Sequence, residues 1–125
     1  MIKYLGIDYG EKRIGLALAD SETKIATPFK VVKNLYEIIK LIKTEGINEL
    51  VIGIPYQITN YQLPITNEFK KFIETIKNEI SLPIRMVDER LSSKAADALF
   101  GDKKTKAQRD TIAAMLILQN YLDRK

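Results

Sequence analysis

A chain of 125 residues, 46% hydrophobic and 29% charged, has the length of one globular domain and enough apolar residues for a core. It contains no histidine and no cysteine, which excludes Ser-His and Cys-His nucleophile systems, thiolate metal sites and a disulfide scaffold. The net charge of +4 leans modestly toward polyanionic partners, and no apolar stretch approaches the ~20 residues of a membrane span. The opening Met1-Ile2-Lys3-Tyr4-Leu5-Gly6 is interrupted too early for a signal peptide, and the lack of cysteine suits a reducing cytosol. A cytoplasmic protein is the expectation.

Residues 2–8 read as a first strand, an apolar run that closes on the carboxylate of Asp8 and is followed by Tyr9-Gly10. Residues 13–19 read as a second strand, joined to the first by the tight connection Tyr9-Gly10-Glu11-Lys12. After the turn Asp20-Ser21-Glu22-Thr23, Ile25 to Val32 reads as a third, antiparallel strand. Pro28 inside it removes a ladder donor and argues for an edge position or a bulge. Asn34 is a good N-cap with Glu37 three residues on. Leu35, Ile38, Ile39 and Ile42 form an apolar stripe, and Gly46 is the stop signal of that helix. Residues 49–54 form a short apolar run of the kind buried on both faces of a sheet, ended by Pro55.

Tyr56 to Pro64 reads as a polar loop. A second helix follows, with Phe69, Phe72, Ile73, Ile76 and Ile80 on one face and Lys70, Lys71, Glu74 and Lys77 opposite. Pro83 precedes a buried strand from Ile84 to Asp88, and Ser92 caps a short helix ending near Gly101. After the basic loop Asp102-Lys103-Lys104-Thr105-Lys106, a last helix runs from about Ala107 to Leu122. Ile112, Met115 and Leu116 make it apolar on more than one side, so it should be buried, with a dimer contact the lesser alternative. The order β-β-β-α-β-α-β-α-α predicts a single α/β domain over 1–125, a mixed five-stranded sheet with helices on both faces. Ligands of such sheets gather at the carboxyl ends of the strands, where Asp8 and Asp88-Glu89 would lie.

Without histidine or cysteine, hydrolytic chemistry must run on carboxylates, lysines, tyrosines or hydroxyls, most naturally through a bound metal. Three acids are candidates. Asp8 and Glu89 fall at strand ends, and the ordinary alternative for Glu89 is a solvated turn with Arg90 as its ion-pair partner. Asp110 shares a helical face with Ala113, Ala114, Ile117 and Tyr121, the expected core stripe. A carboxylate there needs a partner, because desolvating it alone costs several kcal/mol. The alternatives are a favourable place near the helix N-terminus, or pairing with Arg109 or Lys106. Together the three acids could converge on Mg²⁺ or Mn²⁺, ions that take carboxylate, water and phosphate oxygens. Two such ions ~4 Å apart activate water and stabilise the leaving oxygen of a phosphodiester.

Lys12 and Arg13 lie beside Asp8, and Arg90 beside Glu89, so each is either a phosphate clamp or a solvated turn charge. Lys103, Lys104, Lys106 and Arg109 make the densest basic patch. It reads either as a contact that tracks a nucleic-acid backbone or as a solvated loop.

Gly6-Ile7-Asp8-Tyr9-Gly10-Glu11-Lys12-Arg13-Ile14-Gly15-Leu16-Ala17 resembles the opening motif of the YqgF (RuvX) family. Val51-Ile52-Gly53-Ile54-Pro55 resembles that family's central strand, Asp88-Glu89-Arg90-Leu91-Ser92-Ser93 its acidic motif, and Asp110 through Leu122 its C-terminal helix. The four blocks keep their order across nearly the whole chain. The resemblance implies an RNase H-like fold and a nuclease described as Holliday-junction-resolvase-like or as acting on pre-16S rRNA in ribosome biogenesis. It also implies metal-binding catalytic acids at Asp8, Glu89 and Asp110. The expected partner is then nucleic acid, precursor or structured rRNA before branched DNA, with the protein a monomer or weak homodimer and no membrane involved. One departure stands out. Where the family has a glycine-rich loop with an acidic residue, this chain reads Tyr56-Gln57-Ile58-Thr59-Asn60-Tyr61-Gln62, so no substrate contact is carried over there. The Asp8-x-Gly10 turn with Gly15 also resembles the phosphate-binding hairpin of actin- and sugar-kinase-like ATPases. Those enclose a nucleotide between two such domains, and the chain has the length of one.

If the basic patch tracks phosphates, neutralising Lys103, Lys104 and Lys106 together weakens nucleic-acid binding across sequences. Each lost contact should flatten the log–log salt slope by about 0.7 to 0.9. Anisotropy titrations over a salt series check this, and unchanged affinity and slope would make the patch a solvated loop.

Overall fold

Strand alternation divides the large side chains of this chain from the small ones. The computed structural model describes residues 1–10, 12–54, 67–88 and 106–124. In chain order these form β1 (Lys3–Tyr9), β2 (Ile14–Asp20), β3 (Thr27–Val32), α1 (Leu35–Glu45), β4 (Glu49–Ile54), α2 (Asn67–Glu79), β5 (Ile84–Asp88) and α3 (Lys106–Arg124). The five strands make one sheet in the order β3-β2-β1-β4-β5. Strand β1 pairs antiparallel with β2 and parallel with β4, β3 extends the antiparallel side, and β5 extends the parallel side. This is the mixed five-stranded sheet the sequence predicts. The loop expected from Tyr56, the short helix expected from Ser92, Glu89, Arg90 and Lys104 all lie outside the described residues.

On one face, Leu5 and Ile7 of β1, Ile14 and Leu16 of β2, and Leu50 and Ile52 of β4 form a single core with Ile38 of α1 and Phe69, Phe72 and Ile76 of α2. Helix α1 has the boundaries its sequence signals. Asn34 Oδ1 accepts the Glu37 N–H at 3.1 Å, the Glu37 carboxylate accepts the Lys33 N–H at 2.5 Å, and Gly46 closes the helix in the left-handed region at φ 67°.

The opposite face carries small residues. Ala17 and Ala19 of β2 pack with Tyr4, Val51 and Val87 against Ala114, Ile117, Leu118 and Leu122 of α3. Gly6 lies on this face, where an added Cβ would stand 2.8 Å from Leu118 Cβ and 3.0 Å from the Ala114 carbonyl oxygen. The helix is therefore seated almost directly on the strand backbone. Its C-terminal half is tied down by polar contacts. Gln119 accepts the Ala26 N–H at 2.8 Å and donates to the Lys24 carbonyl at 3.0 Å. The Tyr121 hydroxyl donates at 2.8 Å to Glu49, a carboxylate only 6% exposed at the start of β4.

Two edge strands behave differently from one another. Pro28 sits on edge strand β3 as expected, opposite Ala17, and the β2–β3 register shifts between Gly15 and Ala17. The expectation of a buried strand at Ile84–Asp88 is corrected. Among the described residues β5 has one ladder partner, Arg85 and Met86 are exposed, and Val87 is the buried residue that faces α3. Its apolar run is short because an edge strand needs only one covered face.

Gly6→Ala should lower stability by about 1–3 kcal/mol, since the methyl group meets a backbone carbonyl that has nowhere to move. Urea unfolding with an unchanged m-value checks this.

Candidate functional site

Asp8 is the penultimate residue of β1, and alternation with Tyr4 and Gly6 turns it toward the α3 side of the sheet. Its neighbours fix its root from the other side. Ile7 is fully buried, and the Tyr9 ring packs on Phe72 at 4.5 Å and Phe69 at 5.6 Å between centroids. Across the antiparallel ladder the residue opposite Asp8 is Gly15. A Cβ added to Gly15 would collide with the carbonyl group of Asp110. The backbone of Asp110 thus lies over Gly15, beside Asp8, at the carboxyl end of β1. Two acids about a hundred positions apart in the chain are brought side by side by the one residue type that leaves room for it.

Asp110 is on the α3 stripe that includes the buried residues Ala113, Ala114 and Ile117, as the helical wheel predicts. A partner of Asp110 comes from the other end of the chain. Arg13 Nε donates to Asp110 Oδ2 at 2.6 Å, with the two side chains 39% and 23% exposed. This pairing escaped the sequence reading, which weighed basic residues close in sequence. The readable signal was the alternation of Gly15, Ala17 and Ala19 with Ile14, Leu16 and Leu18, which marks a strand face that a helix approaches closely.

Of the other expected site residues, Lys12 is exposed and Arg109 half-buried, while Lys106 begins α3. Glu89, Arg90 and Lys104 lie outside the described residues. Among the described residues no three acids gather closely enough to hold an ion alone. The donor set nevertheless fits a divalent cation. Mg²⁺ commonly uses one or two carboxylates and fills its remaining positions with water and substrate phosphate oxygens. Asp8 and Asp110, adjacent at an end of the sheet, are residue types that could supply such a pair.

Residues 2–124 match the sequence profile of the RuvX family, described as Holliday junction resolvase. The chain belongs to the RuvX family. Its relatives include a protein of Maridesulfovibrio salexigens, 35% identical over 134 residues that cover 98% of this chain and 99% of the relative. Another, from Chloroflexus aurantiacus, is 34% identical over 130 residues that cover 95% and 85%. Both carry the name "Putative pre-16S rRNA nuclease". Among solved structures, Thermus thermophilus RuvC is similar with a TM-score of 0.59 at 12% identity, covering 98% of this chain and 95% of that one. RuvC of the same organism in complex with a Holliday junction substrate is similar with a TM-score of 0.58 at 13% identity, covering 99% and 95%. At such identity these structures establish the fold, which is RuvC-type and RNase H-like.

Substitutions at the contacts of the two ends of α3 should separate position from stability. Gly15→Ala pushes on the Asp110 backbone and should lower both the melting temperature and any nuclease activity. Tyr121→Phe leaves the buried Glu49 carboxylate short of a donor and should cost about 1–3 kcal/mol while activity of the folded fraction persists. Melting curves beside cleavage assays below both transitions check the contrast.

Proposed function

We propose that this RuvX-family protein is a metal-dependent nuclease that hydrolyses phosphodiester bonds in 5′-end processing of pre-16S rRNA. Asp8, Glu89 and Asp110 are its proposed catalytic, metal-holding acids. The observation that carries the reading is the seating of Asp110 beside Asp8 across Gly15 at the carboxyl end of β1. The names of the relatives support the choice of rRNA.

In this reading Asp8 and Asp110 supply carboxylate oxygens from two elements that cannot move independently, because α3 is seated on Gly6 and Gly15. Glu89 would complete the set. When bound, Mg²⁺ or Mn²⁺ supplies a water of lowered pKa and a positive centre beside the phosphoryl oxygens. Lys12 and Arg13, on the connection that follows β1, would hold the scissile phosphate. Arg90, Lys104, Lys106 and Arg109 would follow the backbone on either side, contacts that position a strand without reading its bases. An enzyme acting on nascent rRNA works in the cytoplasm, and among the described residues no helix is long and apolar enough to cross a membrane. Cutting one strand needs one site, so a monomer or weak homodimer suffices. Resolving a four-way junction symmetrically would require two sites in a two-fold dimer.

The test is cleavage in Mn²⁺ of a precursor rRNA fragment, a single-stranded RNA and a four-way DNA junction, with Asp8→Asn as control. The variant should lose cleavage by orders of magnitude while its metal-free stability changes by no more than about 1 kcal/mol. Preferential cutting of the junction would move the substrate to branched DNA. A clearly destabilised Asp8→Asn with near-normal turnover would refute the catalytic assignment.

A further inference from the structure

Arg13 precedes Ile14, which is 2% exposed and anchored in the α1/α2 core, and it shares the α3 face with Gly15 by alternation. The root of its side chain is therefore fixed, while its head is 39% exposed at the rim. There its Nε holds Asp110 Oδ2 at 2.6 Å. The guanidinium occupies a lone pair that a divalent ion would need and adds a positive charge to the place where that ion would sit. Neither side chain is deeply buried, so the pair can exchange; such pairs favour the closed form by no more than about fivefold. The edge of the guanidinium that grips Asp110 is also withheld from a phosphate.

We propose that Arg13 is the resident counter-ion of Asp110, that a divalent cation displaces it, and that the displaced guanidinium then binds the substrate phosphate. This inference rests on the reading of Asp110 as a metal ligand. Arg13 is then a positioning residue that couples the two binding events: metal frees the guanidinium for nucleic acid, and by reciprocity nucleic acid that captures it favours metal. Arg13 thus does more than clamp phosphate, since its availability depends on what Asp110 holds.

The experiment compares the wild-type chain with Arg13→Gln, Arg13→Lys, Asp110→Asn and the Arg13→Gln/Asp110→Asn double variant, each checked by melting in EDTA. Mn²⁺ binding without nucleic acid is followed by the EPR signal of the free ion. Binding of a short fluorescein-labelled single-stranded RNA is followed in EDTA. Arg13→Gln should bind Mn²⁺ about two- to fivefold more tightly than wild type, with Arg13→Lys between them, whereas Asp110→Asn should bind it at least about tenfold more weakly. In EDTA, Asp110→Asn should gain RNA affinity because Arg13 is released, and most of that gain should vanish in the double variant. Unchanged or weaker Mn²⁺ binding by Arg13→Gln, or a gain that persists in full in the double variant, overturns the proposal and leaves the metal site standing. Wild-type Mn²⁺ binding by Asp110→Asn removes the metal reading and this inference with it.

Discussion

The distance between helix α3 and the sheet is set by side chains that are absent. At Gly6 and Gly15 even a methyl group would run into the helix, at Leu118 and the Ala114 carbonyl in the first case and at the Asp110 carbonyl in the second. Contact between main chains leaves less play than interdigitated side chains, because no rotamer can change to absorb a shift. The helix therefore has a defined height and register over β1 and β2. Productive sites tolerate displacements of only ~0.5 Å, and this seating offers that order of restraint to an acid carried on α3. A bulkier β2 face would have added apolar burial and lifted Asp110 away from Asp8.

The two faces of the sheet consequently do different work. The α1/α2 face holds the large side chains, among them Leu5, Ile7, Leu16, Leu50, Ile52 and Ile76, all fully buried. Each contributes roughly 1.5–3 kcal/mol of hydrophobic stabilisation before entropy is counted. Asp8 gains from this indirectly, since Ile7 and the Tyr9 ring on either side of it are held in that layer. On the α3 face, the C-terminal half of the helix is fixed by Leu118, Leu122, Gln119 and the buried Tyr121–Glu49 contact. With the far half secured, the N-terminal turns can carry a carboxylate where an apolar anchor would otherwise be needed.

Periodicity and punctuation made most of this legible. Asn34 and Gly46 bound α1 where their chemistry says they should, and Pro28 marked an edge strand that also carries a register irregularity. The exposure of β5 was not legible, because a run such as Ile84, Met86 and Val87 reads alike in an interior strand and at an edge. Asp110 was conspicuous as an acid on an apolar stripe, yet its partner was not, because Arg13 lies almost a whole chain away and basic residues nearby offered easier partners. Glu49 was hidden for the same reason: its burial makes sense beside Tyr121 and Arg85, neighbours in space alone. For Asp110 the sequence showed a charge that needed company, and for Glu49 it showed not even that; only the fold could say whose.

An arginine at position 13 suits a site that has no histidine to call on. Two carboxylates side by side repel each other, and a protein can relieve that by binding a proton or by placing a cation nearby. An imidazole would supply a cation that comes and goes near neutral pH. A lysine ammonium is a strongly hydrated point charge whose proton is easily lost on burial. A guanidinium stays charged throughout the working range and is weakly hydrated, so it can leave a carboxylate for a phosphate with little solvent reorganisation. In the proposed exchange it would respond to competing cations and anions. A pair of carboxylates with an exchangeable guanidinium beside it would thereby be sensitive to the two species a phosphodiesterase has to bring together.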